Sequence, residues 1–333
     1  MEKNTLAYLS FFGVIFTLTV ISLGAWVRLT DAGLGCPDWP GCYGILGVPD
    51  TDLELHQANT LYPNANIDIG KAYREMLHRY FAGVLGIYVF VLSYLSIKHS
   101  ESRFYLIPIL LVILIIIQSL LGMWTVTELV KPTIVTLHLM MGILTAVLIF
   151  WNGMQFYPIE INKNGYDLKL ITITLICILG LITQIFLGGW TSTNYASLAC
   201  TDFPKCVGKW WPENMNMIKA FTLTNLPDIN YEGGFLSNDD KITIHFIHRI
   251  WALVLTFLFG ILFFYVFYMQ SEKFFQKIGL IILTIFVLQI ILGISNVVYS
   301  LPLMIAVFHT VNAAILLLSL SALLYYSTHK GIQ

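Results

Sequence analysis

Eight long apolar runs restrict the fold of this chain more than any other feature of its sequence. Each run holds about 20 apolar residues between charged or turn residues, the length that a helix needs to cross about 30 Å of hydrocarbon at about 1.5 Å per residue. None alternates polar and apolar residues as a strand of an outer-membrane barrel does. We therefore predict an all-α integral membrane protein with eight transmembrane helices. The predicted spans cover approximately residues 6–27, 73–97, 104–125, 133–153, 169–190, 242–268, 274–298 and 303–326.

The composition supports this fold class and excludes others. Of the 333 residues, 57% are hydrophobic and 11% are charged, whereas about 25% of the residues of a soluble domain are charged. The net charge of −1 and the lack of a basic run exclude the electrostatic surface that nucleic-acid binding requires. The first span is too long for the apolar part of a signal peptide and lacks a small-residue cleavage site, so we expect it in the mature protein. No presequence rich in Arg and Ser precedes it, which favours a bacterial plasma membrane.

The positive charges in the short connections predict the orientation of the chain. The short turns on one side carry only Lys131, so this side is predicted to face outwards and both termini to lie in the cytoplasm. Two long segments, residues 28–72 and 191–241, are then outside, with Trp210 and Trp211 as expected anchors at the membrane surface. The cytoplasmic side carries Lys3, Lys98, Arg103, Lys163, Lys169, Lys273, Lys277 and Lys330.

The second half of the sequence repeats motifs of the first. A shift of 164 residues aligns GAW at Gly24 with GGW at Gly188, and segment 36–42 with segment 200–206. Each repeat holds an even number of helices, so both halves have the same orientation, unlike the inverted repeats of several transporters. We predict a tandem repeat of two four-helix bundles, residues 1–160 and 161–333, each with a long outer loop after its first helix. Shifts of 170 and 171 residues align further pairs, which are His78 with His248, Arg79 with Arg249, Gln118 with Gln289, Gly122 with Gly293 and His138 with His309.

Four histidines lie at one predicted depth. His78 and His138 are on the second and fourth spans, about one to two turns below the outer boundary, and His248 and His309 repeat this placement. Two co-directional helices then present an imidazole from each side, the arrangement that holds a haem between two axial ligands. A zinc or copper site needs three or four clustered ligands, so bis-histidine haem ligation is the best fit. The alternative is that these histidines are hydrogen-bonded packing residues.

Residues beside the histidines extend this hypothesis. Arg79 and Arg249 directly follow two of the ligands and are expected to pair with haem propionates near the outer surface. The alternative is that both arginines extend to the lipid headgroups. Glycines near the site are expected to leave room for the ring, namely Gly83, Gly86, Gly122, Gly142 and Gly293.

One position differs between the repeats in a way that matters for chemistry. Glu75 lies three residues before His78, on the same helix face, and His245 stands at the matched position of the second half. A carboxylate beside one pair of histidines suggests that this site does chemistry while the other stores or relays electrons. The alternative is that Glu75 sits at the headgroup level, paired with Lys71 or Arg79.

Four of the five cysteines form two C-x5-C pairs in the outer segments. In an oxidising compartment, disulfides Cys36–Cys42 and Cys200–Cys206 are the first interpretation. Two alternatives are a zinc site that shares all four thiolates and a redox-exchanging pair that passes electrons to a buried cofactor. Cys177 lies within the fifth span and is expected to be an inert core residue.

Together these residues resemble the heme A synthase family over essentially the whole chain. The resemblance rests on GAWVRLTDAGLGCPDWPGC after the first helix, on ExxHR from Glu75 to Arg79, on His138, and on the second-half copies GGW, CTDFPKC, His248–Arg249 and His309. Members of this family are eight-helix membrane enzymes built from two four-helix bundles. They oxidise the C8 methyl group of heme O to the formyl group of heme A, which supplies terminal oxidases.

The resemblance implies roles for individual residues. His78 and His138 would ligate the substrate haem in the N-terminal bundle, and His248 and His309 a resident haem b in the C-terminal bundle that relays electrons. Glu75 would be the catalytic acid, with water as the source of the formyl oxygen. The Cys36–Cys42 pair resembles one used in activity, and the Cys200–Cys206 pair a stabilising bridge. Expected partners are heme O synthase, a protohaem farnesyltransferase, and assembly factors of the terminal oxidase.

Two other functions compete with this enzyme. One is a non-enzymatic di-haem b-type cytochrome that transfers electrons from quinol. It predicts haems near both membrane faces and gives Glu75 no role. The other is a haem transporter or chaperone, which needs the four histidines but forms no product.

Overall fold

The computed structural model describes residues 3–99, 105–157 and 167–328, which form eight long helices and two short ones. No named strand occurs in these residues, and each long helix is apolar and long enough to cross a membrane. The predicted all-α membrane fold with eight spans is thus confirmed. The long helices are α1 (Lys3–Leu29), α3 (Ile69–His99), α4 (Leu106–Thr127), α5 (Pro132–Phe156), α6 (Leu168–Thr193), α8 (Asn238–Phe264), α9 (Lys273–Val298) and α10 (Leu303–Thr328). The short ones are α2 (Asp52–Leu61) and α7 (Met217–Ala220), both in the two long loops that are predicted to lie outside and are called the outer loops below.

Most helices extend a few residues beyond the predicted spans because polar residues continue the helix outside the apolar run. The Ser237 side chain accepts the backbone N–H of Asp240 and caps α8 before its apolar part begins. A five-residue π-turn, Tyr265–Met269, continues α8 towards the predicted cytoplasmic side. Residue 104 of the third predicted span, and three of the charges that predict orientation, Arg103, Lys163 and Lys330, lie outside the described residues.

The helices pack in two sets of four. Helices α1, α3, α4 and α5 contact one another, as do α6, α8, α9 and α10, and the sets meet where α1 and α5 pack against α6 and α10. This packing agrees with the predicted tandem repeat. Stacked Phe259 and Phe286, with ring centroids 4.2 Å apart, lie in the core of the second set. Large apolar side chains such as Ile87 and Phe257 are exposed on the outer helix surfaces, as a hydrocarbon environment requires.

Each outer loop folds back on itself through an aspartate. The Asp38 carboxylate accepts the backbone N–H groups of Tyr43 and Gly44 at 2.6 and 2.9 Å. Gly44 has a φ of +81°, a conformation that glycine adopts without strain. An antiparallel bridge between Cys42 and Ile45 closes the turn.

The second loop repeats this turn in its own residues. Asp202 accepts the backbone N–H groups of Val207 and Gly208 at 2.5 and 2.9 Å. The backbone N–H of Gly208, followed by that of Val207, holds the pKa of the Asp202 carboxyl below its usual range. Cys206 and Lys209 form the matching bridge.

The second outer loop also contacts the first set of helices. The backbone N–H of Tyr231 donates to the carbonyl of Leu129 at 3.2 Å. Lys71 at the outer end of α3 forms an ion pair with Glu232, with 2.7 Å between Nζ and Oε1. These contacts hold the loop of the second half against the outer ends of α3 and α4.

Candidate functional site

The four predicted ligands lie close to the outer ends of four co-directional helices. His78 is on α3, His138 on α5, His248 on α8 and His309 on α10, each within the first three turns. His78 lies close enough to His138 for positive charges on the two rings to repel each other. The rings of His248 and His309 are close enough to repel each other in the same way. Each histidine is only partly buried, so part of its surface borders open space. The structure therefore brings the predicted residues together in two pairs.

Each imidazole packs against a glycine of a neighbouring helix. A Cβ on Gly24 would lie 3.0 Å from Cε1 of His78, and a Cβ on Gly188 would lie 3.3 Å from Cε1 of His248. The other two glycines meet their histidines in the same way, Gly122 with His138 at 3.5 Å and Gly293 with His309 at 3.1 Å. The side chain missing from each glycine is the space that the ring occupies. These four glycines make room for the imidazole rings, whereas the room that the sequence analysis predicts at Gly122 and Gly293 is for the haem ring and stays a prediction.

The remaining predicted glycines contribute less to this space. A Cβ on Gly142 would lie 3.4 Å from the Gln118 amide, and one on Gly86 would lie 3.7 Å from Ile115. A Cβ on Gly83 would meet nothing within 4 Å among the described residues. None of the three touches a histidine ring.

Three of the four histidines are each contacted by a glutamine, which lies one turn before the glycine that packs against the same histidine. The amides of Gln118, Gln184 and Gln289 donate to the backbone carbonyls of His138, His248 and His309 at 3.0, 3.2 and 3.1 Å. Each of these glutamines begins the same motif, glutamine-x-x-leucine-glycine, which occurs at 118–122, 184–188 and 289–293. The fourth copy, at 20–24, begins with Val20 instead. A search for short internal repeats would have found this motif, which our sequence analysis used only as scattered aligned positions.

The glutamines also make the two pairs of histidines different. Nε2 of Gln184 lies 3.3 Å from Nδ1 and 3.4 Å from Nε2 of His248. Gln289 has the same two distances to the ring of His309. Such equal distances place the amide over the ring face, which leaves the in-plane lone pair of a ring nitrogen available to a ligand. In the first pair, Nδ1 of His78 and Nδ1 of His138 are buried without a hydrogen-bond partner among the described residues.

Glu75 is a buried carboxylate beside the first pair only. Its side chain is 5% exposed, and Arg79 Nη2 lies 2.5 Å from its Oε1. The backbone N–H of Cys36 donates to its Oε2 at 2.9 Å. Glu75 thus pairs with Arg79, as one prediction held, but in the protein interior rather than among headgroups. It joins α3 to the disulfide loop one turn from His78.

His245 takes the matched place in the second half. The backbone nitrogen of Cys200 lies 3.3 Å from its Nδ1, and Nε of Arg249 lies 3.3 Å from its Nε2. A neutral imidazole accepts at one nitrogen only, whereas a carboxylate accepts both contacts. His245 therefore accepts only one of the two hydrogen bonds that Glu75 accepts at the matched place, and it offers no carboxylate.

Both arginines that follow the histidines bind the outer loops. Arg79 Nη1 donates to the backbone carbonyls of Asp38 and Gly41 at 2.9 and 2.5 Å. Arg249 donates in the same way to the carbonyls of Cys200, Asp202 and Lys205 at 2.7, 2.8 and 2.9 Å. These contacts differ from the propionate pairing and from the headgroup contact that the sequence suggested.

The cysteines form the predicted disulfides. Cys36 pairs with Cys42 and Cys200 with Cys206, with Cα atoms 4.8 and 4.7 Å apart. The bonded sulfurs are unavailable for a shared zinc site in this state. Cys177 is fully buried and its Sγ contacts the carbonyl of Leu258, as expected for a core residue.

Two histidines in each pair are enough for a metal ion whose other ligands come from a cofactor. Across residues 3–99, 105–157 and 167–328, no three residues of the types His, Cys, Asp and Glu cluster as a metal site. Two imidazoles in each pair, each beside a glycine, match the two axial positions of a planar macrocycle, and in the first pair both Nδ1 atoms are buried without a partner in the described chain. They do not match a tetrahedral zinc or copper site.

Fold and residue pattern define a multi-pass membrane protein with paired histidines near one end of each four-helix set. Residues 7–321 match the model of the family described as COX15-CtaA, cytochrome oxidase assembly protein. The heme A synthase of Shewanella oneidensis is 42% identical over 319 residues, covering 96% of this chain and 95% of the relative. That of Rickettsia felis is 26% identical over 342 residues, covering 95% and 96%. The chain belongs to the heme A synthase family.

Proposed function

We propose that this chain oxidises the C8 methyl group of heme O to the formyl group of heme A. The support from comparison is that relatives similar over nearly their whole length are named heme A synthases. The single observation that carries the proposal is the asymmetry of two otherwise similar sites. Both have paired histidines, but only the first has a buried carboxylate, Glu75, one turn from a histidine.

The two sites take different haems in this proposal. His78 and His138, in residues 1–160, ligate heme O as substrate, and His248 and His309, in residues 161–333, hold a resident haem b. The glutamine contacts support this assignment, because the second pair is braced by amides whereas the Nδ1 atoms of the first pair have no partner in the described chain. Amide contacts with both rings suit a permanent cofactor, whereas the first pair, in which Gln118 contacts only the backbone of His138, suits a ligand that must leave. Haem b, when bound, supplies one-electron redox chemistry that side chains lack.

Glu75 is the group proposed to move protons. Conversion of a methyl group to a formyl group removes electrons and protons and adds an oxygen atom, which we assign to water, and the electrons pass to a one-electron acceptor outside this chain. The Glu75 carboxylate takes up a proton released beside the first site. Arg79 and the backbone N–H of Cys36 hold its two oxygens in place, so the carboxylate is oriented before the substrate arrives. The disulfide Cys36–Cys42 fixes the loop that carries this donor.

The setting follows from the predicted orientation. We place the protein in a bacterial plasma membrane with both termini in the cytoplasm and the histidines towards the outer face. Heme O is apolar with carboxylates at one edge, so it can enter from the lipid with its acids near water. The partners we propose are heme O synthase, which supplies the substrate, and assembly factors of the terminal oxidase, which receives the product.

The test is product formation in cells that also make heme O. Pigments are extracted from cells that express the wild-type chain, Glu75→Gln or Glu128→Gln, and are separated by chromatography. Glu128 is an exposed outer acid and serves as the matched control. We expect heme A from the wild type and from Glu128→Gln. Glu75→Gln should purify with haem but yield at least about tenfold less heme A, the usual scale for loss of an acid–base group being about 10²–10⁴.

The same experiment separates the rival functions. A di-haem cytochrome or a haem carrier retains the four histidines but forms no heme A, so absence of heme A from the wild type would refute the enzyme. Normal heme A output from Glu75→Gln would remove Glu75 from the chemistry. A diode-array spectrum of each purified variant shows whether haem is still bound.

A further inference from the structure

Arg74 lies above the first histidine pair on the same face of α3. It precedes His78 by four residues, the spacing at which two side chains of a helix are neighbours. It also precedes Leu85 and Leu92 by eleven and eighteen residues, close to whole numbers of turns. Both leucines are buried in the core of the first helix set, at 5% and 2% exposure. Arg74 therefore continues the inward-facing stripe of α3 towards the outer surface.

The guanidinium of Arg74 has no partner in the described chain. Its Nε is buried and makes no hydrogen bond there, and no acidic group of the described residues lies within ion-pair distance of it. The neighbouring cations at the outer ends are all paired. These pairs are Arg28 with Asp31, Lys71 with Glu232, Arg79 with Glu75, and Lys131 with Glu128.

An unpaired, partly buried arginine in this position is suited to binding an anion. Burial of a donor without an acceptor costs free energy, and a carboxylate that fills the place regains it through charge-assisted hydrogen bonds. The planar guanidinium matches a carboxylate through two parallel N–H donors. The anion must come from outside the described chain, because the nearby acids are engaged elsewhere.

The second half lacks this cation. Ile244 stands at the position matched to Arg74 and is fully buried in an apolar cluster with Trp190 and Ala220. Trp190 Nε1 donates to the carbonyl of Ala220 at 2.8 Å, which fastens α7 over this end of the second set. In the first half Trp26, the counterpart of Trp190, remains partly exposed. At this place the first half therefore carries a positive charge without an acidic partner in the described chain, whereas the second half carries a buried apolar side chain.

We propose that Arg74 binds a carboxylate of the ligand held by His78 and His138. This rests on the proposed function, under which the ligand is heme O and the carboxylate is one of its propionates. Arg74 then takes the role that the sequence suggested for Arg79, whose guanidinium is engaged by loop carbonyls and Glu75. The contact orients the substrate in the first site with its acids towards the outer surface.

The test compares heme O with its dimethyl ester, which has the same ring but no free carboxylate. Purified protein containing haem b is titrated with each ligand in neutral detergent, and the change in the Soret band gives Kd. The variants are Arg74→Ile, which copies the second half, Arg74→Lys, and the control Lys71→Ile, which removes a nearby cation paired with Glu232. We expect the wild type and Lys71→Ile to prefer the acid over the ester by about 10- to 100-fold.

The expected result is specific to recognition of the carboxylate. Arg74→Ile should lose the preference for the acid while binding the ester as the wild type does, and Arg74→Lys should restore part of the preference. If Arg74→Ile weakens the binding of acid and ester equally, Arg74 has a structural role and the proposal is wrong. If the preference for the acid is unchanged, Arg74 has no role in binding and the proposal is also wrong.

Two further outcomes separate this proposal from its alternatives. If phosphatidylglycerol competes with heme O in the wild type but not in Arg74→Ile, while the acid-to-ester ratio is unchanged, Arg74 binds a lipid headgroup and the proposal is wrong. Failure of the wild type to bind heme O or to form heme A would refute the proposed function along with it. Heme A formation with an unchanged ratio in Arg74→Ile would refute the Arg74 assignment alone.

Discussion

The two histidine pairs lie on matching helices, and single side chains beside them make the two sites different. The ring of His248 lies under the amide of Gln184, whereas the matched residue in the first half is Val20. The valine side chain offers no hydrogen bond, so the imidazole of His78 contacts only the backbone of Val20 and Gly24 on this helix. A fixed imidazole loses less conformational freedom when it ligates a metal, which favours retention of the ligand.

Replacement of Gln184 by valine should therefore make the second site resemble the first. We expect Gln184→Val to release the haem that we propose for the second site about 2- to 10-fold faster, the effect of losing one hydrogen bond of ordinary strength. Transfer of haem to excess apomyoglobin, followed by absorbance, measures this rate. Gln270→Val is the control, because Gln270 contacts Asp167 at the opposite end of α8. Equal rates in the wild type and Gln184→Val would show that the amide does not brace the ligand.

The residues of the candidate site were predictable from the sequence, but their hydrogen-bond partners were less so. A histidine or glutamate within an apolar run is visible in the sequence because ionisable residues are rare in such runs. The partners of Arg79 were not visible, since backbone carbonyls of the loop carry no sequence signal. Arg74 was passed over because its significance lies in a missing partner, and only the structure shows which nearby acids are engaged elsewhere.

At the scale of elements, the two outer loops are built as compact turns that hold the helix ends. In each, an aspartate side chain accepts two successive backbone N–H groups and a disulfide closes the base. The turn of the second half is then bound by Arg249 through three backbone carbonyls. The loop, Arg249 and the start of α8 therefore behave as one unit.

Removal of the aspartate should loosen this unit without unfolding the helices. In Asp202→Ala the backbone N–H groups of Val207 and Gly208 lose their acceptor, so we expect their hydrogen exchange to accelerate about 3- to 10-fold. Hydrogen–deuterium exchange mass spectrometry of the peptide that covers residues 200–209 measures this exchange rate. The first loop, 36–45, serves as the internal control. Unchanged exchange at 200–209 would show that the disulfide alone maintains the turn.

The same contact sets a pH dependence for the second loop. Because the folded pKa of Asp202 is lowered, the carboxylate stabilises the loop fully above its unfolded pKa, and this is lost as pH falls through the folded value. Exchange of the loop amides, corrected for the intrinsic rate, should therefore be constant near neutral pH and increase only in acid. In Asp202→Ala this acid-dependent increase should be absent.

The long helices were predictable from apolar runs, whereas the short ones were not. Helix α2 begins with a capping box, in which Thr51 and Glu54 bond reciprocally. This T-x-x-E signal is present in the sequence, but it lies in a polar segment that a search for membrane spans ignores. Helix α7 is one turn long and is capped by Asn216, and its place depends on contact with α8. Such tertiary contacts leave no local signal.

For the whole molecule, similar halves do not have identical surroundings. The loop of the second half crosses to the first through Tyr231 and Glu232. Arg28 at the end of α1 donates to the carbonyl of Ser192 at the end of α6 and stacks on Tyr195. The internal repeat predicted two matching bundles, but it contains no information about which loop crosses the junction.

The orientation of the whole molecule is testable with single engineered cysteines. The natural cysteines give little background, since four are in disulfides and Cys177 is fully buried. Asn225 in the second outer loop and Ser271 between α8 and α9 are both exposed and lie on opposite predicted sides. In intact bacterial spheroplasts, a membrane-impermeant maleimide should label Asn225→Cys and should label Ser271→Cys only after permeabilisation.

This result is expected because lysines concentrate in the connections on the Ser271 side, and positive charge is retained in the cytoplasm. The opposite labelling pattern would place the histidine pairs near the cytoplasmic face, and heme O would then have to present its carboxylates to the cytoplasm rather than to the outer surface.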